Sequence, residues 1–224
     1  FRGMGVPKRL QILLEGESLF NDGTAIVIFT IILTAALSGA QSYSFFNGVW
    51  DFLTVAGGGV IIGVILGVII VQVISRVDDH LIETALTSVL AYGSYLIAET
   101  AGVSGVLAVV AAGLVNGNIG PRGMSPTTRI VVFNFWEYAA FIANSFVFLL
   151  IGLRIDLHLL ATSWQLILWA ILGVLVARAL TVYGLTWLNR GVPASWRHVL
   201  FWGSLRGAIS LALALSLPAE LGIA

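Results

Sequence analysis

Four polar side chains, Glu17, Ser18, Asn21 and Asp22, lie close together within an otherwise apolar stretch of the chain. Glu17 and Asn21 are four residues apart, as are Ser18 and Asp22, so in a helix each pair projects from one side. Together they offer carboxylate, amide and hydroxyl oxygens, which are the ligands that hard cations prefer. A carboxylate in an apolar setting can alternatively take up a proton. The pattern indicates a site for a cation or a proton or, as the simpler interpretation, a structural hydrogen-bond network.

The composition indicates that these groups lie in a membrane. Of the 224 residues, 58% are apolar and only 10% are charged, whereas soluble domains have about 25% charged residues. This composition excludes a disordered chain, a coiled coil and a disulfide-stabilised scaffold, and the chain contains no cysteine. Eleven basic and eleven acidic residues give no net charge, so there is no electrostatic case for nucleic acid as a partner. We predict an all-α, polytopic membrane protein.

Seven apolar stretches meet or approach the length of about 20 residues that a bilayer core about 30 Å thick requires. We expect them to be transmembrane helices with approximate bounds 12–37, 50–74, 82–99, 103–118, 135–153, 164–189 and 198–217. The fourth is short for a complete span. Residues 1–11 are expected to form a loop before the first helix. Because the chain opens on Phe1 and stops soon after a proline, we expect residues 1–224 to be an internal part of a longer membrane protein.

The basic residues orient the predicted helices. Eight of them lie in the first segment or in every second loop after it: Arg2, Lys8, Arg9, Arg76, Arg122, Arg129, Arg190 and Arg197. The alternate loops hold only Arg154. Since cytoplasmic loops are enriched in lysine and arginine, we expect residues 1–11 on the cytoplasmic side of a plasma (cell inner) membrane that the chain crosses several times. Tryptophans such as Trp136 fall at predicted helix ends, as an interfacial aromatic belt would.

Charged side chains remain within the predicted spans. A charge at the centre of a span costs at least about 2.5–3.5 kcal/mol, so each such group requires a partner or water. At about 1.5 Å per residue, Asp22 lies about 15 Å into its helix, near the middle of a core about 30 Å thick. Glu17 and Arg178 lie about 7.5 and 9 Å from the cytoplasmic face, and Arg206 lies about 11 Å into the last helix. Depth in the membrane therefore does not decide whether Arg178 or Arg206 is the partner of Glu17.

Small residues recur at every fourth position in two predicted helices. These stripes are Gly59, Gly63 and Gly67 in the second helix, and Ser204, Ala208, Ala212 and Ser216 in the last. Small side chains at this spacing let two helix backbones approach closely. We therefore expect tight helix packing at both stripes, and we assign no binding site to either.

Four segments resemble, in order, the motifs of one transporter family. Residues 15–23 (EGESLFNDG) resemble the signature of sodium/proton antiporters of the cation:proton antiporter 1 class, the bacterial relatives of the animal sodium/proton exchangers. Residues 148–153 (FLLIGL), 177–180 (ARAL) and 204–209 (SLRGAI) resemble later motifs of that family. The resemblance covers nearly the whole chain. It implies that the seven helices correspond to helices six to twelve of a thirteen-helix inverted-repeat fold, whose twelfth helix is interrupted near the ion site.

The resemblance also implies roles for individual residues. Asp22 would bind the cation or the proton, with Asn21 beside it and Ser18 as a further ligand of the monovalent cation. Glu17 would form a structural ion pair with Arg178. Arg206 would have an auxiliary role in the twelfth helix. The helix that precedes this stretch in the family, which carries a Thr-Asp-Pro segment, is not part of the sequence.

On this resemblance we expect a secondary active transporter that exchanges a monovalent cation, with Na⁺ as the first expectation, for H⁺ by alternating access. Exchange is expected to be electroneutral, and the bilayer and a second copy in a homodimer are the expected partners. Neither a cofactor nor an enzymatic activity is expected. A retinal protein does not fit because the single lysine is Lys8. An intramembrane hydrolase is disfavoured because the histidines lie in loops or at a helix end. A cation channel or a structural membrane subunit is the remaining alternative.

Overall fold

The structure, a computed structural model, describes residues 7–37, 45–155, 157–188, 193–203, 208–215 and 217. In these ranges the chain forms the helices α1 (Lys8–Leu37), α2 (Phe45–Ile74), α3 (His80–Thr100), α4 (Gly105–Ile119), α5 (Pro126–Arg154), α6 (Leu157–Thr162), α7 (Trp164–Leu188), α8 (Ala194–Gly203) and α9 (Ala208–Leu215). One 3-10 turn, Gly120–Arg122, follows α4. Among the helices of the described residues, five are long and apolar enough to cross a membrane, namely α1, α2, α3, α5 and α7. The all-helical membrane class is as predicted, whereas the count of seven spans stays a prediction.

Several helix bounds differ from the sequence prediction. α5 begins at Pro126 rather than near residue 135, because the Ser125 hydroxyl accepts a hydrogen bond from Thr128 N at 3.2 Å and proline suits the first helical position. A count of apolar residues does not detect this polar first turn. Trp136 therefore lies inside α5 and not at a helix end. α6 was not predicted, and the range 198–217 is described as α8 and α9, between which residues 204–207 lie outside the described part.

The chain divides into two compact units. The first unit comprises Phe1–Ser18 and Asn144–Ala224, and the second comprises Leu19–Ala143. Helices α1 and α5 each contribute residues to both units. In the second unit α4 packs against both α2 and α3.

Three glycines of α2 face α4 in the second unit. A Cβ atom at Gly59 or Gly63 would meet the backbone carbonyl of Ser104 or Ala108, respectively, and one at Gly67 would lie 2.9 Å from Val115 Cβ. The helices are thus closer than side chains at these positions would permit. This confirms the packing that the four-residue spacing predicts. In the second predicted stripe, Ser204 and Ser216 lie outside the described residues.

Gly63→Ala is expected to lower the free energy of unfolding by about 1–3 kcal/mol, because the added methyl group must push the α4 backbone away. Gly93→Ala is the matched control, since an added Cβ at Gly93 of α3 meets nothing within 4 Å. The control should be neutral or stabilising by up to about 1 kcal/mol, because alanine is the better helix former. Thermal unfolding in detergent measures both variants. A Gly63→Ala protein with the same unfolding temperature as the wild type would contradict the close contact.

Buried hydrogen bonds join α3 to the start of α5 in the second unit. Thr128 Oγ1 donates to Glu83 Oε1 at 3.2 Å, and Trp136 Nε1 donates to Thr87 Oγ1 at 3.0 Å. Glu83, Thr87 and Thr128 are all buried. Since buried polar groups are costly when unpaired, these two bonds fix the position of α5 along α3.

The N-terminus of α3 is capped by Asp79. Its Oδ1 atom accepts hydrogen bonds from Ile82 N at 3.2 Å and from Leu81 N at 2.8 Å. These two backbone N–H groups, that of Ile82 foremost, lower the pKa of Asp79 below its ordinary value. The cap therefore stays charged at a pH where an ordinary aspartate already takes up a proton, and it satisfies two N–H groups that have no partner within the helix.

The first unit contains a small apolar cluster. Leu10 and Leu14 of α1 are buried against Leu200 of α8. Partly buried side chains from α7 and α8 pack against this cluster, namely Val182, Trp196 and Val199. The cluster brings the start of α1 next to α7 and α8, and this contact positions the ion pair described below.

Candidate functional site

The four polar residues Glu17, Ser18, Asn21 and Asp22 all lie in α1, which is helical without interruption from Lys8 to Leu37. Glu17, Asn21 and Asp22 are partly buried, and Ser18 is exposed. Helical spacing keeps Ser18 and Asp22 on one side of α1. The Thr24 hydroxyl donates to the carbonyls of Phe20 at 2.8 Å and Asn21 at 3.1 Å. That contact uses the backbone carbonyl of Asn21 and not its side-chain amide.

Glu15, seven residues before Asp22, has a different setting. Its side chain is exposed, and its Oε1 atom accepts a hydrogen bond from Gln11 Nε2 at 2.9 Å. This is a helix-surface contact between residues four positions apart. Glu15 is therefore the natural comparison for Asp22, because it is another carboxylate on the same helix at an exposed position.

The stretch of α1 that carries Asp22 approaches α4 at Gly23. A Cβ atom at Gly23 would lie 2.7 Å from Leu107 Cδ2, and Leu107 is 5% exposed, so it has little room to move aside. Gly23 belongs to the nine-residue motif, but sequence reasoning gave it no role. The contact with Leu107 provides one, since glycine lets the helix approach α4 directly beside Asp22.

A cavity of about 290 Å³ adjoins α1 one turn after Asp22. Ile26 and Thr30 line it and follow Asp22 by four and eight residues, so they share its side of the helix. Glu99 of α3 also lines the cavity, and its Oε1 atom accepts a hydrogen bond from Gly105 N at 3.2 Å. Sequence reasoning did not single out Glu99, because only the fold brings the end of α3 to this part of α1.

Glu17 and Arg178 lie together in the first unit. Arg178 Nη1 is 3.4 Å from Glu17 Oε1, and Arg178 Nη2 is 3.5 Å from Glu17 Oε2. The Arg178 side chain is 7% exposed and the Glu17 side chain is 36% exposed. The structure thus brings together the pair that the resemblance implies. Arg206, the competing partner on depth alone, lies outside the described residues.

The shortest hydrogen bonds of Arg178 go to backbone atoms of α8. Nη2 donates to Leu200 O at 2.6 Å, and Nε donates to Phe201 O at 2.7 Å. Both carbonyls belong to the last four residues of α8, which receive no N–H bond within that helix. A guanidinium has five N–H donors, enough to serve two carbonyls and a carboxylate at once. These acceptors could not be predicted from the sequence, because every residue has a backbone carbonyl whatever its type.

The family profile described as "Sodium/hydrogen exchanger, transmembrane" matches residues 1–224. The chain belongs to this family. The Na⁺/H⁺ antiporter ApNhaP of Aphanothece halophytica is 47% identical over 227 residues, which cover 99% of this chain and 43% of that protein. The Na⁺/H⁺ antiporter NhaH of Halobacillus dabanensis is 43% identical, with 98% of this chain and 55% of that protein covered.

A solved structure agrees with this assignment to the exchanger family. The sodium proton antiporter MjNhaP1 of Methanocaldococcus jannaschii matches with a TM-score of 0.78 and 27% sequence identity, covering 99% of this chain and 55% of that one. The exchanger-family chain therefore spans about half the length of the relatives it matches. Family membership and five membrane-length helices together make it an integral, multi-pass membrane protein.

Proposed function

We propose that this chain is part of a secondary transporter that exchanges Na⁺ for H⁺ across the membrane by alternating access. The observation that carries the proposal is Asp22, a carboxylate within a membrane-length apolar helix of an exchanger-family chain. The relatives named Na⁺/H⁺ antiporters support the choice of ions. The proposed partners are the cation, the proton, the bilayer and a second copy of the protein. Neither a cofactor nor an enzymatic step is part of the proposal.

The proposed exchange follows from the charge of one carboxylate. When Asp22 binds a proton it is neutral, and when it binds Na⁺ its charge is compensated. Asn21 and Ser18 supply neutral oxygen ligands that complete the cation site but carry no charge. An empty, ionised carboxylate is costly in the membrane interior, so the step between the two faces is favoured only for a loaded site. Proton and cation then compete for Asp22, and one is carried each way.

The proposed stoichiometry is one proton for one monovalent cation. The residue before Asp22 is Asn21 and not a second aspartate, so the motif offers one exchangeable charge beside Glu17. Arg178 lies within salt-bridge distance of Glu17, so the proposal assigns Glu17 to this ion pair and not to the transported charge. A cycle that exchanges one positive charge for another moves no net charge across the membrane.

Proteoliposomes that contain the intact protein and a pH-sensitive dye test this function. A Na⁺ gradient should drive proton movement that saturates with Na⁺ concentration, because each cycle occupies one site. A membrane potential imposed at zero ion gradients should move no protons, since exchange is electroneutral. Current that rises linearly with voltage would favour the channel alternative. Proton movement driven by potential alone would require a second titrating acid.

We also propose that residues 1–11 lie on the cytoplasmic side of the plasma membrane. The chain has no cysteine, so single cysteines can be introduced without background labelling. Asp78 precedes α3 and His158 lies in the short helix α6; both are exposed, and their segments have opposite predicted sides. Asp78→Cys should react with an impermeant maleimide only from the cytoplasmic side, and His158→Cys only from the outside. The reverse pattern would overturn the orientation that the arginines indicate.

A further inference from the structure

A second cavity, of about 320 Å³, lies between α3, α4 and α5 in the second unit. Its walls are almost wholly apolar and include Leu90, Ala112, Gly113, Val132, Phe133 and Trp136. The hydroxyl of Thr87, which also lines it, is engaged by Trp136 Nε1 and by Thr84 O. Asn116 also lines the cavity, but most of the wall is apolar, and apolar cavities do not hold water well, so these walls favour an apolar occupant.

Two glycines leave part of the wall of this cavity without side chains. Gly113 and Gly117 of α4 line it, and a Cβ atom added to either would meet nothing within 4 Å. In this respect they differ from Gly63, where a Cβ atom would collide with the backbone of the neighbouring helix. The space beside Gly113 and Gly117 is therefore open to an occupant rather than filled by packing within the described unit.

Two exposed arginines adjoin the cavity walls. Arg122 directly follows Pro121, and the Arg129 guanidinium lies 6.0 Å from the centre of the Phe133 ring, a cation–π contact. Both Pro121 and Phe133 line the cavity. The apolar cavity thus has positive charge beside its wall, as an occupant with an apolar tail and an anionic head would require.

The turn between α2 and α3 lies beside these arginines. Gly123 approaches Ser75, since an added Cβ would lie 3.0 Å from Ser75 Cβ, and Arg76 is the next residue of that turn. Two acidic residues follow it, Asp78 and Asp79. Asp79 is engaged in capping α3. Three arginines therefore lie at this end of the second unit, beside Asp78 and Asp79 and with Glu83 buried against Thr128.

We propose that this cavity binds one acyl chain of an anionic phospholipid, whose phosphate group is held by Arg122 and Arg129. Arginine is well suited to phosphate because its N–H donors form paired, charge-assisted hydrogen bonds. Basic pockets between transmembrane helices are known to bind anionic headgroups. The lipid would lie in the leaflet on the Arg122 side and would contact α3, α4 and α5 together. The proposal depends on the membrane setting and not on the proposed ion exchange, so either can fail without the other.

Native mass spectrometry of the intact protein tests the site, with phosphatidylglycerol and phosphatidylcholine of identical acyl chains as probes. The wild type should retain phosphatidylglycerol in preference to phosphatidylcholine. Arg122→Gln and Arg129→Gln should each weaken phosphatidylglycerol binding by about fivefold, and phosphatidylcholine binding should not change. Arg9→Gln is the charge control, because Arg9 is an exposed arginine of the other unit.

Gly113→Leu tests the cavity itself, since its side chain would occupy the space of the acyl chain. It should reduce the binding of both lipids, whereas Gly93→Leu, also made at a helical glycine with open space, should not. Gly113→Ala should give a smaller loss and serves if the leucine variant does not fold. Unchanged phosphatidylglycerol binding in Gly113→Leu would overturn the proposal, because the cavity would then be filled by another part of the protein. A change in the dimer fraction without any change in lipid would also overturn it, since a second copy would be the occupant.

Discussion

Asp22→Asn is expected to reduce Na⁺-dependent proton movement in proteoliposomes to the background of protein-free vesicles. The amide has nearly the volume of the carboxylate, so α1 and its contact with α4 through Gly23 and Leu107 should persist. It can neither take up a proton nor compensate a cation, and both steps of the proposed cycle require one of these. The measurement is dye-reported proton movement over a range of Na⁺ concentrations, with the unfolding temperature measured in parallel.

Glu15→Gln is the matched control, because it makes the same chemical change on the same helix. Glu15 is exposed and bonded to Gln11, outside the proposed ion site, so its variant should exchange at the wild-type rate. Substantial exchange by a folded Asp22→Asn protein would rule out Asp22 as the carrier. Equal loss in both variants would point to a general effect of charge removal on α1 and not to a specific site.

The sequence predicted the parts of the fold that depend on length and small-residue spacing. Long apolar runs predicted the membrane-length helices, and the four-residue repeat through Gly63 predicted the approach of α2 to α4. It did not predict the start of α5 at Pro126 or the short helix α6. Caps and polar turns determine where these helices begin, whereas a count of apolar residues detects only the part of a helix that lies in the bilayer core.

The candidate site was predictable where the motif itself carries the chemistry. Asp22, Asn21 and Ser18 stand out because polar side chains are rare in an apolar helix, and Glu17 could be matched to Arg178 by resemblance. The cavity beside Thr30 and Glu99 could not be found in this way, because it forms only when residues distant in sequence meet. The bonds from Arg178 to α8 were also hidden, since any residue supplies the same carbonyl.

These backbone bonds lead to a second large expected effect, on stability. Arg178→Ala is expected to lower the free energy of unfolding by several kcal/mol, because two carbonyls of α8 lose their donors at about 1–3 kcal/mol each. Glu17→Gln is expected to lower the free energy of unfolding by no more than about 1 kcal/mol. The Glu17 side chain is 36% exposed, and its contacts with Arg178 are long, at 3.4–3.5 Å. The ion pair would then be the smaller part of what Arg178 contributes to the first unit.

Unfolding of the two single variants and the double variant separates the contributions. The coupling energy between Glu17→Gln and Arg178→Ala should be no larger than about 1 kcal/mol, because most of the loss on removing Arg178 does not involve Glu17. Arg178→Lys should recover only part of the loss, since one ammonium group lacks the fixed, planar arrangement of donors that reaches Leu200 O and Phe201 O together. Arg9→Ala, at an exposed arginine, controls for the loss of a positive charge. If Glu17→Gln proved as destabilising as Arg178→Ala, with coupling equal to either loss, the arginine would act through the ion pair and not through the end of α8.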